Sequence, residues 1–195
     1  LSRARNSEEY ENKLRELAEQ VDRLIRLSNA LLFLSRSDQK QVVFNPTTVN
    51  LTELLGGLIE QLQPLVDEKR LDVSVQVADD LFVRGDNDHL VRLFMNLLEN
   101  ALKYTPADGQ VRVSAEEDAD GVRITIHNSG DGIESEHIPH LFERFYRVDA
   151  DRSSQTGGSG LGLAIAQEIV RLHNGGIDAS SRPGQGVTFT VRLPA

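Results

Sequence analysis

Apolar residues in the first part of the chain recur at the spacing of one long amphipathic helix. The segment from about Ser7 to Arg36 contains neither Gly nor Pro, and its apolar seam widens near the end. The seam consists of Leu14, Leu17, Val21, Leu24 and Leu31. The residues that widen it are Ile25, Leu27, Leu32, Phe33 and Leu34. A stripe this wide favours a bundle or a dimer. A helix packed on the body of its own domain stays an alternative.

The rest of the chain mixes helical and strand periodicities. We predict helices over 51–62, 89–104 and 161–173, and strands over 42–44, 71–77, 81–84, 111–113, 122–126, 177–181 and 187–193. Tight turns join several strand pairs, which favours antiparallel pairing. The pattern predicts an α/β (α+β) two-layer sandwich, with a mixed, mostly antiparallel sheet of about five strands packed on three helices. One long amphipathic helix precedes it, so the predicted domains are residues 1–40 and 41–195.

Composition narrows the classes of function. The 195-residue chain has a formal net charge of −9, which argues against nonspecific nucleic-acid binding because that depends on clustered Lys and Arg. It has no cysteine, so disulfides and thiolate metal sites are excluded. No stretch approaches the roughly 20 apolar residues of a membrane span, and no signal peptide is visible. We therefore expect a cytoplasmic fragment.

One face of the helix predicted over 89–104 carries candidate chemistry. Asn96, Asn100 and Lys103 follow i, i+4, i+7 spacing and share this face, while apolar residues fill the opposite one. An amide oxygen is a hard, neutral ligand for Mg²⁺, and an ammonium is a point charge for phosphate. Alone, the same pattern also fits a solvated helix face.

Two glycine-rich segments follow. Residues 128–133 come directly after a predicted strand, where glycines allow a sharp turn and a close approach to a ligand. Asn128 there can present an amide oxygen to the exocyclic amine of adenine. Residues 157–163 open the third predicted helix, where backbone N–H groups and the helix dipole favour an anion. Each segment by itself also fits an ordinary turn.

Taken together and in this order, these segments resemble the catalytic domain of sensor histidine kinases, within the GHKL ATP-binding superfamily. The matching stretches are 96–106 (N box), 128–133 (first glycine box), 141–146 (F box) and 158–163 (second glycine box). Residues 144–149 and the leader 1–5 resemble the heavy-metal-sensor subgroup most. The resemblance covers nearly the whole chain and implies a Bergerat-type fold with ATP and Mg²⁺ as cofactors. No P-loop sequence is present.

The resemblance also implies roles for individual residues. Asn100 would be the Mg²⁺ ligand, and Lys103, Arg147 and Arg152 would be the catalytic cations at the phosphates. Asn128 stands where the family usually has Asp, and the lost charge predicts a weaker preference for adenine. Residues 135–156 would form a mobile lid. The nucleotide-binding set would be Asn96, Asn100, Lys103, Tyr104, Asn128, Gly130, Gly132, Ile133, Gly158, Gly160, Leu161, Gly162 and Leu163.

The leader helix lacks an acceptor histidine, which would need a following acidic residue and usually a Thr-Pro. We expect His89 on the surface and His173 as a cation that ends its helix. The resemblance implies that residues 1–40 are the second helix of a dimerisation hairpin, whose acceptor helix precedes Leu1 in an inner-membrane sensor. The implied partners are a second copy of the chain and the receiver domain of a response regulator.

Two other functions stay open. A GHKL ATPase of the gyrase, chaperone or mismatch-repair type would place a water-activating Glu one turn before the metal-binding Asn. That position is Asn96 here, and Glu99 lies about 100° round the helix from Asn100. The other alternative is a nucleotide-binding or dimerisation module without turnover.

Overall fold

The computed structural model describes residues 7–119, 121–148 and 159–194. The chain divides into two compact units, Leu1–Val42 and Val43–Ala195. In the first unit the chain forms α1 (Ser7–Asp38), as predicted, and its seam residues Leu14, Leu17 and Leu24 are all more than half exposed. Within the described ranges, no helix combines the length and the apolarity needed to cross a membrane.

The second unit alternates helices and strands, and most of them lie close to the predicted bounds, but β4 is longer than predicted and β1 was not predicted. Helices α2 to α5 are Leu51–Gln61, Gln63–Lys69, Asn87–Tyr104 and Gly162–Leu172. Strands β1 to β7 are Thr47–Asn50, Asp72–Val77, Phe82–Gly85, Gln110–Asp118, Gly121–Asn128, Gly176–Ser181 and Val187–Pro194. A 3₁₀ turn covers Ile138–His140. The short helix α3 was not predicted; a proline in its first turn starts it directly after α2.

Five strands form the main sheet in the order β2-β4-β5-β7-β6. β2 runs parallel to β4, and the other three pairings are antiparallel. The mixed, mostly antiparallel sheet predicted from the sequence is therefore confirmed. β1 and β3 pair separately as a two-stranded antiparallel sheet.

Alternation along the central strands decides which sheet face is covered by helices. Val122, Ile124 and Ile126 of β5 are buried, and β5 contacts α4, which in turn packs on α5. Phe94 and Leu97 of α4 are completely buried, and each such side chain contributes about 1.5–3 kcal/mol of burial free energy. Because α4 turns its apolar face to this core, its polar face lies away from the sheet.

The strand predicted over 42–44 is wrong. Phe44 packs edge-on against the ring of His173, with 4.9 Å between ring centroids. The next backbone N–H, that of Asn45, donates to Asp86 Oδ2 at 2.9 Å. Strand pairing begins only after Pro46, at Thr47. A tertiary contact of the aromatic ring therefore replaces the local strand preference.

The surface position expected for His89 and the positive charge expected for His173 are also wrong, although His173 does lie at the C-cap of α5 as predicted. His173 is buried, and burial lowers the pKa of its imidazole. Its Nδ1 lies 2.8 Å from the carbonyl oxygen of Ile169, and its Nε2 accepts the Asp86 N–H at 3.0 Å. These partners fit a neutral ring, which donates from Nδ1 and accepts at Nε2, and not the predicted cation. His89 keeps only 15% of its side chain exposed, because Phe44 stacks beside it.

Candidate functional site

The polar face of α4 lies against the start of α5. Asn96, Asn100 and Lys103 are half-buried along this face, and a Cβ placed on Gly162 would lie 3.4 Å from Asn96 Oδ1. Within the described structure, the buried Nδ2 of Asn96 has no hydrogen-bond partner. A buried, unpaired amide costs about 1–3 kcal/mol. The position is therefore suited to a ligand that brings hydrogen-bond acceptors.

The last turn of α4 carries a cation and an aromatic ring. Lys103 Nζ lies 5.0 Å from the centroid of the Tyr104 ring, within the range of a cation–π contact. Tyr104 is 55% exposed. The helix ends at Thr105, whose hydroxyl donates to the carbonyl oxygen of Ala101 at 2.6 Å. The predicted phosphate cation thus sits at the end of the helix, one turn beyond Asn100.

The loop that leads into α5 is held by the segment around Phe145. The Phe145 N–H donates to the carbonyl oxygen of Gly160 at 2.9 Å, and a Cβ on Gly160 would lie 2.8 Å from the Phe145 carbonyl carbon. Gly160 has φ 70°, a conformation that favours glycine. α5 then begins at Gly162 with no side-chain cap. An uncapped helix start of this kind is suited to an anion, and the anion site expected here stays a prediction.

The glycine turn after β5 is tied to the β6–β7 hairpin. Asn128 is buried, and its Nδ2 donates to the carbonyl oxygen of Ser129 at 3.1 Å. Gly130 and Gly132 have φ of 144° and 77°, and a Cβ on Gly132 would collide with the carbonyl oxygen of Arg182. Only glycine allows this close approach, so the turn is fixed by its neighbours.

Sequence reasoning missed two residues that hold this turn. Ser181 Oγ accepts the N–H of Ile133 at 2.8 Å and donates to the carbonyl oxygen of Gly186 at 2.6 Å. Gly186 has φ 78° and leaves no room for a Cβ beside the carbonyl oxygen of Asn128. In the sequence, the only signal for Gly186 is that it is a glycine two residues after Gly184. This signal does not show which distant segment Gly186 contacts.

The candidate lid lies only partly within the described residues. Leu141 is buried, and Phe142 packs edge-on against Phe189 of β7 at 6.5 Å between centroids. Arg147 has a buried Nη2 without a partner among the described residues, which makes it a second group suited to an acceptor-rich ligand. Arg152, Gly158 and the predicted lid residues 149–156 lie outside the described residues.

The donor set of the site suits Mg²⁺ only in the presence of an anionic ligand. Among the described residues, no three His, Cys, Asp or Glu side chains are grouped so that they could hold a metal ion. Asn100 offers a neutral amide oxygen on the polar face of α4. Mg²⁺ usually keeps several waters and takes few protein ligands together with substrate phosphates. The residues present fit that arrangement.

Comparison with known families places these elements in a known context. The family described as Histidine kinase-, DNA gyrase B-, and HSP90-like ATPase matches residues 85–195. The matched span begins just before α4 and contains both glycine segments and the β6–β7 hairpin.

Individual relatives agree with this match. The signal transduction histidine-protein kinase BaeS of Escherichia coli (strain K12) is 39% identical over 178 residues, which cover 91% of this chain and 38% of BaeS. The sensor histidine kinase CusS of the same strain is 34% identical over 195 residues, which cover 100% of this chain and 40% of CusS. The chain thus spans about two fifths of the length of these curated relatives.

A solved structure shows the same fold. Full-length ShkA in complex with AMPPNP matches with a TM-score of 0.82 and 26% identity, over 99% of this chain and 40% of ShkA. The comparisons confirm the predicted resemblance to sensor histidine kinases and the predicted fold. Similarity to CusS also supports the heavy-metal-sensor-like subgroup.

Proposed function

Since the chain belongs to the histidine kinase-, DNA gyrase B- and HSP90-like ATPase family, we propose that it is the ATP-binding kinase domain of a two-component sensor histidine kinase. It would transfer the γ-phosphoryl group of ATP to a histidine of the dimerisation domain, for relay to an aspartate of a response regulator. One observation carries the proposal: Asn96, whose buried Nδ2 has no hydrogen-bond partner among the described residues, lies beside Gly162 at the start of α5. A triphosphate, which has many acceptor oxygens, would accept hydrogen bonds from this Nδ2 and from the backbone N–H groups at the start of α5.

The nucleotide would lie between the end of α4, the glycine turn after β5 and the start of α5. Because the Nδ2 of Asn128 is engaged by the backbone, its Oδ1 is the end that would accept the amine of adenine. The neutral amide would make this hydrogen bond weaker than a carboxylate would. Gly130, Gly132 and Ile133 would shape the adenine pocket, Tyr104 would lie near the nucleotide, and Asn96, Lys103, Gly158, Gly160, Leu161, Gly162 and Leu163 would surround the phosphates.

Mg²⁺ would be held by Asn100 together with phosphate oxygens. When bound, the ion would neutralise part of the negative charge of the triphosphate. The remaining chemistry is positioning: the N–H groups at the start of α5 hold the phosphates, and Lys103, Arg147 and Arg152 would balance charge on the transferred group. The buried Nη2 of Arg147, which has no hydrogen-bond partner within the described part of the chain, supports its part in this set.

A kinase is favoured over a water-activating ATPase by the residues one turn before Asn100. Asn96 lies on the polar face and carries no carboxylate, whereas Glu99 is exposed. An amide such as that of Asn96 cannot deprotonate a water, and Glu99 lies about 100° round the helix from Asn100. Glu99 therefore does not replace the glutamate that the ATPases of this family use.

The exposed seam of α1 supports a role for residues 1–40 in dimerisation. Its large apolar side chains need a partner to leave water. A second copy of the chain, through the helical hairpin of the whole protein, is the proposed partner, and a response regulator receiver domain is the proposed phosphate acceptor. The cellular location of this part and the membrane anchor of the whole protein stay predictions.

Titration calorimetry with a non-hydrolysable ATP analogue tests the nucleotide site. We expect micromolar-range binding that weakens when Mg²⁺ is omitted, and an affinity loss of about 100-fold in Asn100→Ala, since a metal ligand is lost. Asn87→Ala is the matched control, because Asn87 is exposed at the opposite end of the same helix. No binding to the parent chain, or equal losses in both variants, would refute the assignment.

Phosphoryl transfer needs a separate test. A hairpin that carries an acceptor histidine is mixed with this chain and labelled Mg²⁺-ATP. Label on the hairpin that depends on Asn100 is the expected result. If ATP binds and no label appears on the hairpin, the kinase proposal fails for this chain and the nucleotide-binding module without turnover replaces it.

A further inference from the structure

Lys69, which the proposed nucleotide site does not include, closes the C-terminal end of α4. From the last turn of α3, its Nζ lies 2.8 Å from the carbonyl oxygen of Leu102, 2.7 Å from that of Lys103 and 3.0 Å from that of Thr105. An ammonium has three N–H donors, so the three contacts use its complete donor set. The Lys69 ammonium is therefore fixed by three hydrogen bonds, unlike a lysine side chain that is only solvated.

The contact also balances charge. The last carbonyls of a helix have no intrahelical partner and form the negative end of its dipole. Lys69 places a positive charge directly on them. The carbonyl of Ala101 is already paired, because both the N–H and the hydroxyl of Thr105 donate to it. Lys69 therefore completes the cap of the turn that bears Lys103.

Neighbouring contacts keep Lys69 in place. The carbonyl oxygen of Lys69 accepts the N–H of Asp108 at 3.0 Å. Arg70 then pairs with both carboxylate oxygens of Asp108, at 2.8 and 2.9 Å. The end of α3 and the loop after α4 thus form one hydrogen-bonded unit, built from residues more than 30 positions apart in sequence.

We propose that Lys69 is a positioning residue for nucleotide binding, because it fixes the last turn of α4 and so sets where Lys103 meets the phosphates and where Tyr104 lies beside the nucleotide. The inference rests on the proposed function of the site. Gly130 of the adenine-side turn lies against the same turn, since a Cβ there would be 3.3 Å from the carbonyl oxygen of Tyr104. A displaced helix end would consequently disturb both parts of the nucleotide site.

The electrostatic surroundings agree with this role. Burial lowers the pKa of Lys69, Glu68 on the same helix raises it, and Lys103 on α4 lowers it. Lys69 and Lys103 therefore place two positive charges near one another at this helix end. The carbonyl dipoles partly offset this charge, and a bound triphosphate would offset more of it.

The test compares binding of the Mg²⁺-ATP analogue to four forms of this chain: the parent, Lys69→Met, Lys69→Arg and Arg70→Met. Circular dichroism first establishes a temperature at which each form is folded. We expect about tenfold weaker binding in Lys69→Met, the equivalent of about 1.4 kcal/mol. The affinity of Lys69→Arg should lie between those of the parent and Lys69→Met, because the variant keeps the charge but a planar guanidinium cannot converge on three carbonyls. Arg70→Met removes the exposed pair with Asp108 but leaves the three Lys69 contacts, so it should weaken binding less than Lys69→Met does.

A pH profile separates positioning from simple support of the fold. As pH approaches the ordinary lysine pKa, about 10.4, the parent should lose affinity before Lys69→Arg does, since the guanidinium stays charged. Glu68 and Lys103, the charged neighbours of Lys69, are present in both forms, so the difference reports on Lys69.

Each outcome is decisive. A folded Lys69→Met with the affinity of the parent would overturn the inference. If Lys69→Met does not fold, Lys69→Arg with the affinity and pH profile of the parent would overturn it. Asn100→Ala, measured in parallel, distinguishes the two proposals: if it loses affinity and Lys69→Met does not, only the Lys69 role fails. A parent chain that binds no analogue would remove the proposed function and this inference together.

Discussion

The two ends of α4 are both held by contacts with distant parts of the chain, but with opposite chemistry. At the N-terminal end, Asp86 caps the helix by accepting the N–H of His89 at 3.1 Å, and its other oxygen accepts the N–H of Asn45. Neutral His173 accepts the backbone N–H of Asp86. At the C-terminal end, the ammonium of Lys69 donates to three carbonyls.

The difference shows that the same helix serves two purposes. α4 has 18 residues and is about 27 Å long. The α4 residues of the proposed nucleotide site all lie in the second half of the helix, from Asn96 to Tyr104. The N-terminal closure therefore should govern stability alone, while the C-terminal closure should govern stability and affinity together. Three predictions, in order of decreasing effect, test this division.

Asp86→Ala should give the largest loss of stability. It removes the helix cap and leaves the N–H of Asn45 without its acceptor, so the free energy of unfolding should fall by about 2–3 kcal/mol. Urea denaturation measures this. Nucleotide affinity of the folded variant should stay within about twofold of the parent, because the two sites are far apart.

Asp88→Ala is the control for Asp86→Ala. Asp88 is an exposed acid in the same first turn, and it interacts with the helix dipole at a cost of only about 0.3–1 kcal/mol when removed. An Asp86→Ala variant that weakened nucleotide binding as strongly as Lys69→Met would contradict the division between the two ends.

The pH dependence of stability should report on His173. Burial holds its pKa below the ordinary value, so the folded ring stays neutral while the unfolded chain takes up a proton below about pH 6.5. The unfolded state then binds more protons, and the free energy of unfolding should fall as pH decreases from 7 to 5, by at most about 1.4 kcal/mol per pH unit for this group.

His173→Gln should have a flatter pH profile over the same range, although it should be less stable at pH 7. Urea denaturation at several pH values gives both slopes. The pKa of His127 is also lowered by burial, but it contributes equally to the two proteins. Equal slopes would mean that His173 is not the buried neutral group described for the N-terminal closure.

Thr105→Val should have the smallest effect. The substitution keeps shape but removes the hydroxyl that donates to the carbonyl of Ala101, while the backbone N–H of residue 105 still donates to it. We expect a loss of about 1 kcal/mol in unfolding free energy. Thermal denaturation checks this, and a variant as stable as the parent would show that Lys69 alone is sufficient to close this end.

Local signals predicted much of the fold and of the candidate site. The spacing of Asn96, Asn100 and Lys103 placed them on one helix face, and the glycines at 130 and 132 marked positions with positive φ. Alternating apolar residues gave the strands of the main sheet. These features depend on neighbours in sequence, so periodicity and backbone preference are sufficient to find them.

Contacts between distant residues were not predictable in the same way. Asp86 and His173 are 87 positions apart, and Lys69 lies 36 positions before Thr105. Nothing local distinguishes Lys69 from a solvated lysine at a helix end, or Phe44 from a strand residue. Their roles arise only when the tertiary fold brings the partners together.

The most direct test of the central claim is an NMR titration of the labelled chain with the Mg²⁺-ATP analogue, which follows every backbone amide at once. We expect large chemical-shift changes at residues 96–105, 128–133 and 159–163, and small changes at 85–90 around the N-terminal closure. Shifts centred on residues 85–90, or no shifts at the C-terminal end of α4, would contradict it.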